Sequence, residues 1–107
     1  MISNELTNSI TRRLVDGFHP EKIILFGSQA RGTADTRSDI DILVVCPFEG
    51  KRRRLMVEMD EALDDLEFAF DIVILTPEEF QRDSHIPGTI GRYAHLEGRI
   101  LYAQSLS

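Results

Sequence analysis

Apolar residues recur along this chain at two spacings. From Ser3 to Gly17, Leu6, Ile10, Leu14 and Val15 return every three or four positions, which predicts an amphipathic helix capped by Ser3 and stopped by Gly17. Lys22–Phe26 is a short, mostly unbroken apolar run, the signature of a strand buried on both faces. A Gly27-Ser28 turn follows, then a short helix and a polar loop over Thr33–Ser38. In Asp39–Val45 acid and apolar residues alternate before the run turns wholly apolar, which predicts a second strand. Helical spacing returns over Lys51–Phe68, where Leu55, Met59, Leu63 and Leu66 mark one face with Ala62, and Met56 and Met59 read as core filler. Asp71–Leu75 is a third strand.

The remaining elements are set by caps and breakers. Thr76-Pro77-Glu78-Glu79 combines a capping threonine, a proline at the first helical position and an acid three residues after the cap, a strong helix start. Ile86-Pro87-Gly88 breaks that helix, Thr89–Leu96 forms another, Gly98 ends it and Arg99–Tyr102 reads as a closing strand. Helices alternating with strands predict an α/β (α+β-like) fold, a small mixed sheet covered by helices on one side. There are no repeats, and the length predicts one domain over residues 1–107.

Where the polar residues interrupt this pattern, they carry chemistry. Gly27 allows the backbone to turn sharply and to approach a ligand with no Cβ in the way. Ser28 adds a hydroxyl and an N–H, the helix that follows can offer free N–H groups to an anion, and Arg31 adds a fixed positive charge. Side chains alternate along a strand, so Asp39 and Asp41 point the same way while Ile40 and Ile42 enter a core. Two like charges side by side are costly unless a cation lies between them, and Mg²⁺ suits hard oxygen ligands shared with phosphate. If the strand starting at Asp71 lies beside Asp39–Asp41 in register, three carboxylates can bridge a pair of metals for in-line displacement at phosphorus. Taken alone, the turn reads first as a capped strand-to-helix turn and the acid pair as a solvated strand end, with Asp71 open to either reading. Their conjunction in so short a chain points to triphosphate chemistry.

Gly27-Ser28, ten intervening residues and Asp39-x-Asp41 resemble the signature of the DNA polymerase β-like nucleotidyltransferase superfamily. The fuller pattern, Gly-Ser-x-Ala-Arg-Gly followed by Ser-Asp-Ile-Asp, is similar to its minimal nucleotidyltransferase (MNT) branch, antitoxins paired with HEPN toxins in type VII-like toxin–antitoxin modules. The resemblance spans roughly Glu21 to Leu75, with a chain size that fits the whole domain. It implies that Gly27 and Ser28 contact the β- and γ-phosphates and that Asp39 and Asp41 hold magnesium. Asp71 is implied to complete the metal site and help activate the acceptor hydroxyl. It further implies two Mg²⁺ ions, ATP as donor, and a tyrosine of a HEPN-type toxin as acceptor of AMP, hence a hetero-oligomer.

The formal net charge of −6 argues against broad nucleic-acid binding. No apolar run reaches the roughly 18 residues a membrane span needs, the first residues lack signal-peptide character, and the single Cys46 fits a reducing cytosol, so the expected location is cytoplasmic. Cys46 reads as a core residue, His19, His85 and His95 as surface or capping residues, and Tyr93 and Tyr102 as packing residues. Lys51-Arg52-Arg53-Arg54 opens its helix with the charge sign the helix dipole disfavours. It is a solvated cluster, a contact for an acidic partner, or a contribution to the nucleotide's phosphates. Two other readings remain open: a non-catalytic antitoxin acting by complex formation, and a small-molecule nucleotidyltransferase.

Overall fold

The computed structural model describes residues 3–27 and 39–104. The chain enters as helix α1 (Asn4–Phe18), then strands β1 (Lys22–Phe26) and β2 (Ile40–Val45), helix α2 (Arg52–Ala62), a 3₁₀ turn (Asp64–Leu66) and strand β3 (Phe70–Leu75). Helices α3 (Pro77–Asp83) and α4 (Ile90–Glu97) and strand β4 (Arg99–Ala103) follow. The strands form one mixed sheet ordered β3-β2-β1-β4. β1 pairs antiparallel with β2 and β4, and β2 pairs parallel with β3.

Local sequence accounts for most boundaries. Ser3 Oγ accepts from the N–H of Leu6 at 3.2 Å, capping α1 as expected. At the other end α1 runs past Gly17 to Phe18 and closes on His19, which takes the left-handed conformation (φ 51°) and donates its N–H to the Val15 carbonyl at 3.0 Å. Pro20 then prevents continuation, so the stop predicted at Gly17 falls two residues later. Thr76 and Glu79 form the full reciprocal capping box with Pro77 at the first helical position. The helix predicted over Lys51–Phe68 is shorter. It stops at Ala62, where Leu63 leaves helical geometry (φ −106°), and the Arg13 guanidinium of α1 steadies this end by donating to the Ala62 carbonyl at 3.1 Å and pairing with Asp65. The 3₁₀ turn and a left-handed Glu67 (φ 63°) complete the exit to β3.

Strand alternation splits the core in two. Ile23 and Leu25 of β1, Ile40, Ile42 and Val44 of β2, and Ile72 and Ile74 of β3 face α1 and α2, where Ile10, Leu14, Met59 and Leu63 close a fully buried cluster. The alternate residues Ile24, Phe26, Leu43 and Val45 make a second cluster with Phe80 of α3 and Ala94 of α4. Helices therefore cover both faces, where the sequence pattern predicted one. The second face was hidden because α3 and α4 are short and lend it few buried side chains. Cys46 is buried as expected, and Tyr93 and Tyr102 pack against the two clusters. Met59 is core, but Met56 is exposed, because it sits off the Leu55–Met59–Leu63 stripe.

Candidate nucleotide and metal site

The second face is apolar at one end only. At the other end, the alternation that buries Leu43 and Val45 puts Asp41 and, just before the strand, Asp39 on the same side. The parallel register pairs Asp41 with Asp71, so the two residues stand about 4.8 Å apart across neighbouring strands and project to the same face. The fold thus brings Asp39, Asp41 and Asp71 to one sheet end. Asp39 and Asp71 are exposed and Asp41 is half-buried. Burial first, then the charges of Asp71 and Asp39, hold the Asp41 carboxyl above its ordinary value.

Gly27 completes this corner. Phe26 lies opposite Asp41 in the antiparallel β1–β2 ladder, and Gly27 follows with φ 77°, a left-handed conformation that glycine takes without the Cβ penalty other residues meet. A Cβ there would run into Asp41 Oδ2 and lie 3.2 Å from its Cγ. The glycine at the turn therefore serves two ends: it reverses the chain and leaves room for the carboxylate. Ser28 and Arg31 lie outside the described residues.

Among the described residues no three His, Cys, Asp or Glu side chains converge into a ready-made metal cage. The donor set nevertheless suits magnesium, which is held by one or two carboxylates and completes its shell with water and substrate phosphates. Asp39 and Asp41, with no ion-pair partner among the described residues, are the pair that could hold it, with Asp71 beside them.

The basic cluster belongs elsewhere. Asp41 lies near the start of β2, whereas α2 begins after its end, roughly 13 Å along the strand from the acids. There Arg52 is bound to Glu79 Oε1 at 2.6 Å and lies 5.3 Å from the Phe48 ring, while Arg54 pairs with Glu58 at 3.6 Å. A role for this cluster on the nucleotide's phosphates is thereby corrected: it lies at the opposite end of the sheet. Its first turn holds no acid and no side-chain cap, so the Glu79 carboxylate also relieves an unfavourable helix start.

The site's neighbourhood includes residues of α2 that the sequence pattern did not assign to it. Met56, Val57 and Asp60 of α2 line a hollow of about 260 Å³ with Phe70, Asp71 and Ile72. Their helical spacing, i, i+1 and i+4, marks them as one side of α2, and that spacing is the signal that could have found them. Tyr93 stands edge-on to Phe26, with ring centres 6.1 Å apart, on the face that carries the acids.

A turn glycine packed on a strand aspartate, with further aspartates on the same sheet end, defines the class. The family model for the nucleotidyltransferase domain matches residues 7–94, and the chain belongs to that family. Its fold is that of solved toxin–antitoxin structures. One, a toxin–antitoxin with AMP-PNP, is 22% identical, with a TM-score of 0.71 over 92% of this chain and 74% of that one. The toxin–antitoxin MntA–HepT is 18% identical, with a TM-score of 0.66 over 95% of this chain and 74% of that one. A mutant of the same pair, with two aspartates changed to glutamate, is 18% identical, with a TM-score of 0.68 over 92% and 74%. A search of curated protein sequences finds no match. No helix among the described residues is long and apolar enough to cross a membrane.

Proposed function

We propose that this chain is a Mg²⁺-dependent nucleotidyltransferase that moves AMP from ATP to a hydroxyl, a tyrosine in our reading, of a HEPN-type toxin, and so acts as its antitoxin. The observation that carries this reading is the register pairing of Asp41 with Asp71, with Asp39 on the same face and Gly27 seated on the Asp41 carboxylate. Family membership supports nucleotidyl transfer, and the likeness to toxin–antitoxin structures, one with AMP-PNP, supports the partner and the donor.

In this reading Asp39 and Asp41 hold the metal, and Gly27 and Ser28 receive the β- and γ-phosphates. Arg31 offsets phosphate charge. Bound magnesium supplies charge neutralisation and alignment of the triphosphate. Asp71 accepts a hydrogen bond from the acceptor hydroxyl and takes its proton as the oxygen attacks the α-phosphorus. The new O–P bond forms as the bond from that phosphorus to the β-phosphate's bridging oxygen breaks, and pyrophosphate leaves with the electron pair. Most of the rate comes from alignment and charge complementarity, which a small domain can supply.

Intact mass spectrometry of the protein encoded by the adjacent gene, after incubation with this chain, ATP and Mg²⁺, tests the proposal. The expected result is an added adenylate that vanishes with the Asp39→Asn, Asp41→Asn double variant. A second reading is antitoxin action by complex formation alone, which the likeness to toxin–antitoxin structures supports without any transfer step. No added mass, with a stable complex that survives the double substitution, would establish that reading instead.

A further inference from the structure

β3 is an edge strand, and its register says which of its groups are spoken for. Ile40 donates to the Ala69 carbonyl at 2.9 Å and Cys46 to the Leu75 carbonyl at 2.9 Å, so the odd-numbered residues of β3 direct their backbone groups toward β2. Phe70, Ile72 and Ile74 therefore direct theirs outward, along an edge that pairs with no other strand among the described residues. Such an edge is a template for an incoming extended segment. Beside it, Met56 and Val57 are exposed at 37% and 47% above the hollow that ends on Asp71. Phe68, just before the strand, is exposed at 46%.

Charge narrows what would lie there. Asp60 and Glu61 stand on the exposed side of α2 next to Val57, and Asp64 and Glu67 follow, all exposed. Glu58 and Asp65 are paired, with Arg54 and Arg13, but these four have no ion-pair partner among the described residues. Asp60 lines the groove beside the apolar Met56, Val57, Phe70 and Ile72, and Glu61, Asp64 and Glu67 carry the exposed acidic stretch on from it.

We propose that the β3 edge and the α2–β3 groove dock the segment of the partner protein that carries the acceptor hydroxyl, an extended stretch with apolar and basic residues around that hydroxyl. This rests on the nucleotidyl-transfer reading and adds to it the route by which the acceptor reaches the site. A strand added at this edge lies about 4.8 Å from β3, and its residue in register with Asp71 projects to the face of the three carboxylates. Its neighbours on either side project to the opposite face, over Phe70, Ile72 and the exposed Met56 and Val57. The hydroxyl is delivered by register, and the acidic stretch selects basic flanks.

Two measurements test this with the protein encoded by the adjacent gene. A photo-crosslinking p-benzoylphenylalanine replaces Val57 or, as control, Leu96, which is 60% exposed on α4 over β1. The expected crosslink from position 57 falls in the peptide that gains the adenylate, and none from position 96 does. Glu61→Lys with Asp64→Lys is expected to raise the Kd for that protein at least tenfold while leaving the Kd for Mg²⁺·ATP unchanged. A crosslink from position 96 alone, or an unchanged partner Kd in the charge-reversed variant, overturns the docking surface. Crosslinking at 57 and the Kd shift without any transfer would leave the surface standing and overturn the catalytic reading. Transfer at full rate without either would do the reverse.

Discussion

Replacing Gly27 by alanine separates two roles of one residue. The backbone there has φ 77°, and placing an L residue in the left-handed region costs roughly 1–2 kcal/mol. For a chain of this size each 1 kcal/mol lowers Tm by about 4–8 °C. The added methyl also meets Asp41 Oδ2, the tip of a rotatable side chain, so the carboxylate swings aside and the backbone stays. Gly50 supplies the control: it has φ 88°, and a Cβ there would meet nothing within 4 Å. Gly50→Ala and Gly27→Ala should therefore lose comparable Tm, read by differential scanning calorimetry in EDTA. Only Gly27→Ala should also weaken Mg²⁺·ATP binding, by about tenfold or more (some 1.4 kcal/mol) in isothermal titration calorimetry. Wild-type nucleotide affinity in Gly27→Ala, with the Tm loss of Gly50→Ala, would refute the contact argued here between glycine and carboxylate.

Two further outcomes follow from the same geometry. The Asp41 carboxyl is held above its ordinary value, by burial and then by Asp71 and Asp39, so the folded state binds its proton more tightly than the unfolded chain does. Its contribution is present below the ordinary aspartate range and is lost as pH rises through the raised folded value. Asp41→Asn should flatten that decline and raise metal-free stability at neutral pH by a few tenths of a kcal/mol, since the site is open to water, in urea titrations between pH 3 and 7. Thr76→Ala removes the hydroxyl half of the capping box and should cost about 1 kcal/mol by the same titration, with Mg²⁺·ATP affinity unmoved because the box lies at the far end of the sheet.

What could be read from sequence was what depends on near neighbours. The Ser3 cap, the Thr76–Glu79 box and the same-face placement of Asp39 and Asp41 follow from spacings of two or three residues, and the structure has them. What could not be read depends on distant partners. The carbonyl at the end of α2, that of Ala62, is satisfied by Arg13, 49 positions away, and no local signal announces that. The pairing of Asp41 with Asp71 was conditional on a register that only the assembled sheet sets. Lys51–Arg54 could be assigned to the nucleotide only while the direction of β2 relative to α2 was unknown. The space Gly27 leaves for Asp41 has no counterpart in composition or period at all.

The parallel pairing of β2 with β3 has a consequence for how the chain reaches its working state. Asp41 and Asp71 belong to strands separated by the whole of α2 and its 3₁₀ exit, and a parallel pair cannot be closed by a hairpin. The loop between them must be closed before the carboxylates meet, so the charged corner forms through a contact of high sequence separation, the slow kind in folding. An incompletely folded chain, even one with β1 and β2 zipped and Gly27 already turned, has no acid trio to offer. In the proposed reading the metal pair and the phosphate turn belong to the β1–β2 hairpin, whereas the proton acceptor Asp71 joins them only when the crossover closes, so transfer, more than nucleotide binding, depends on complete folding.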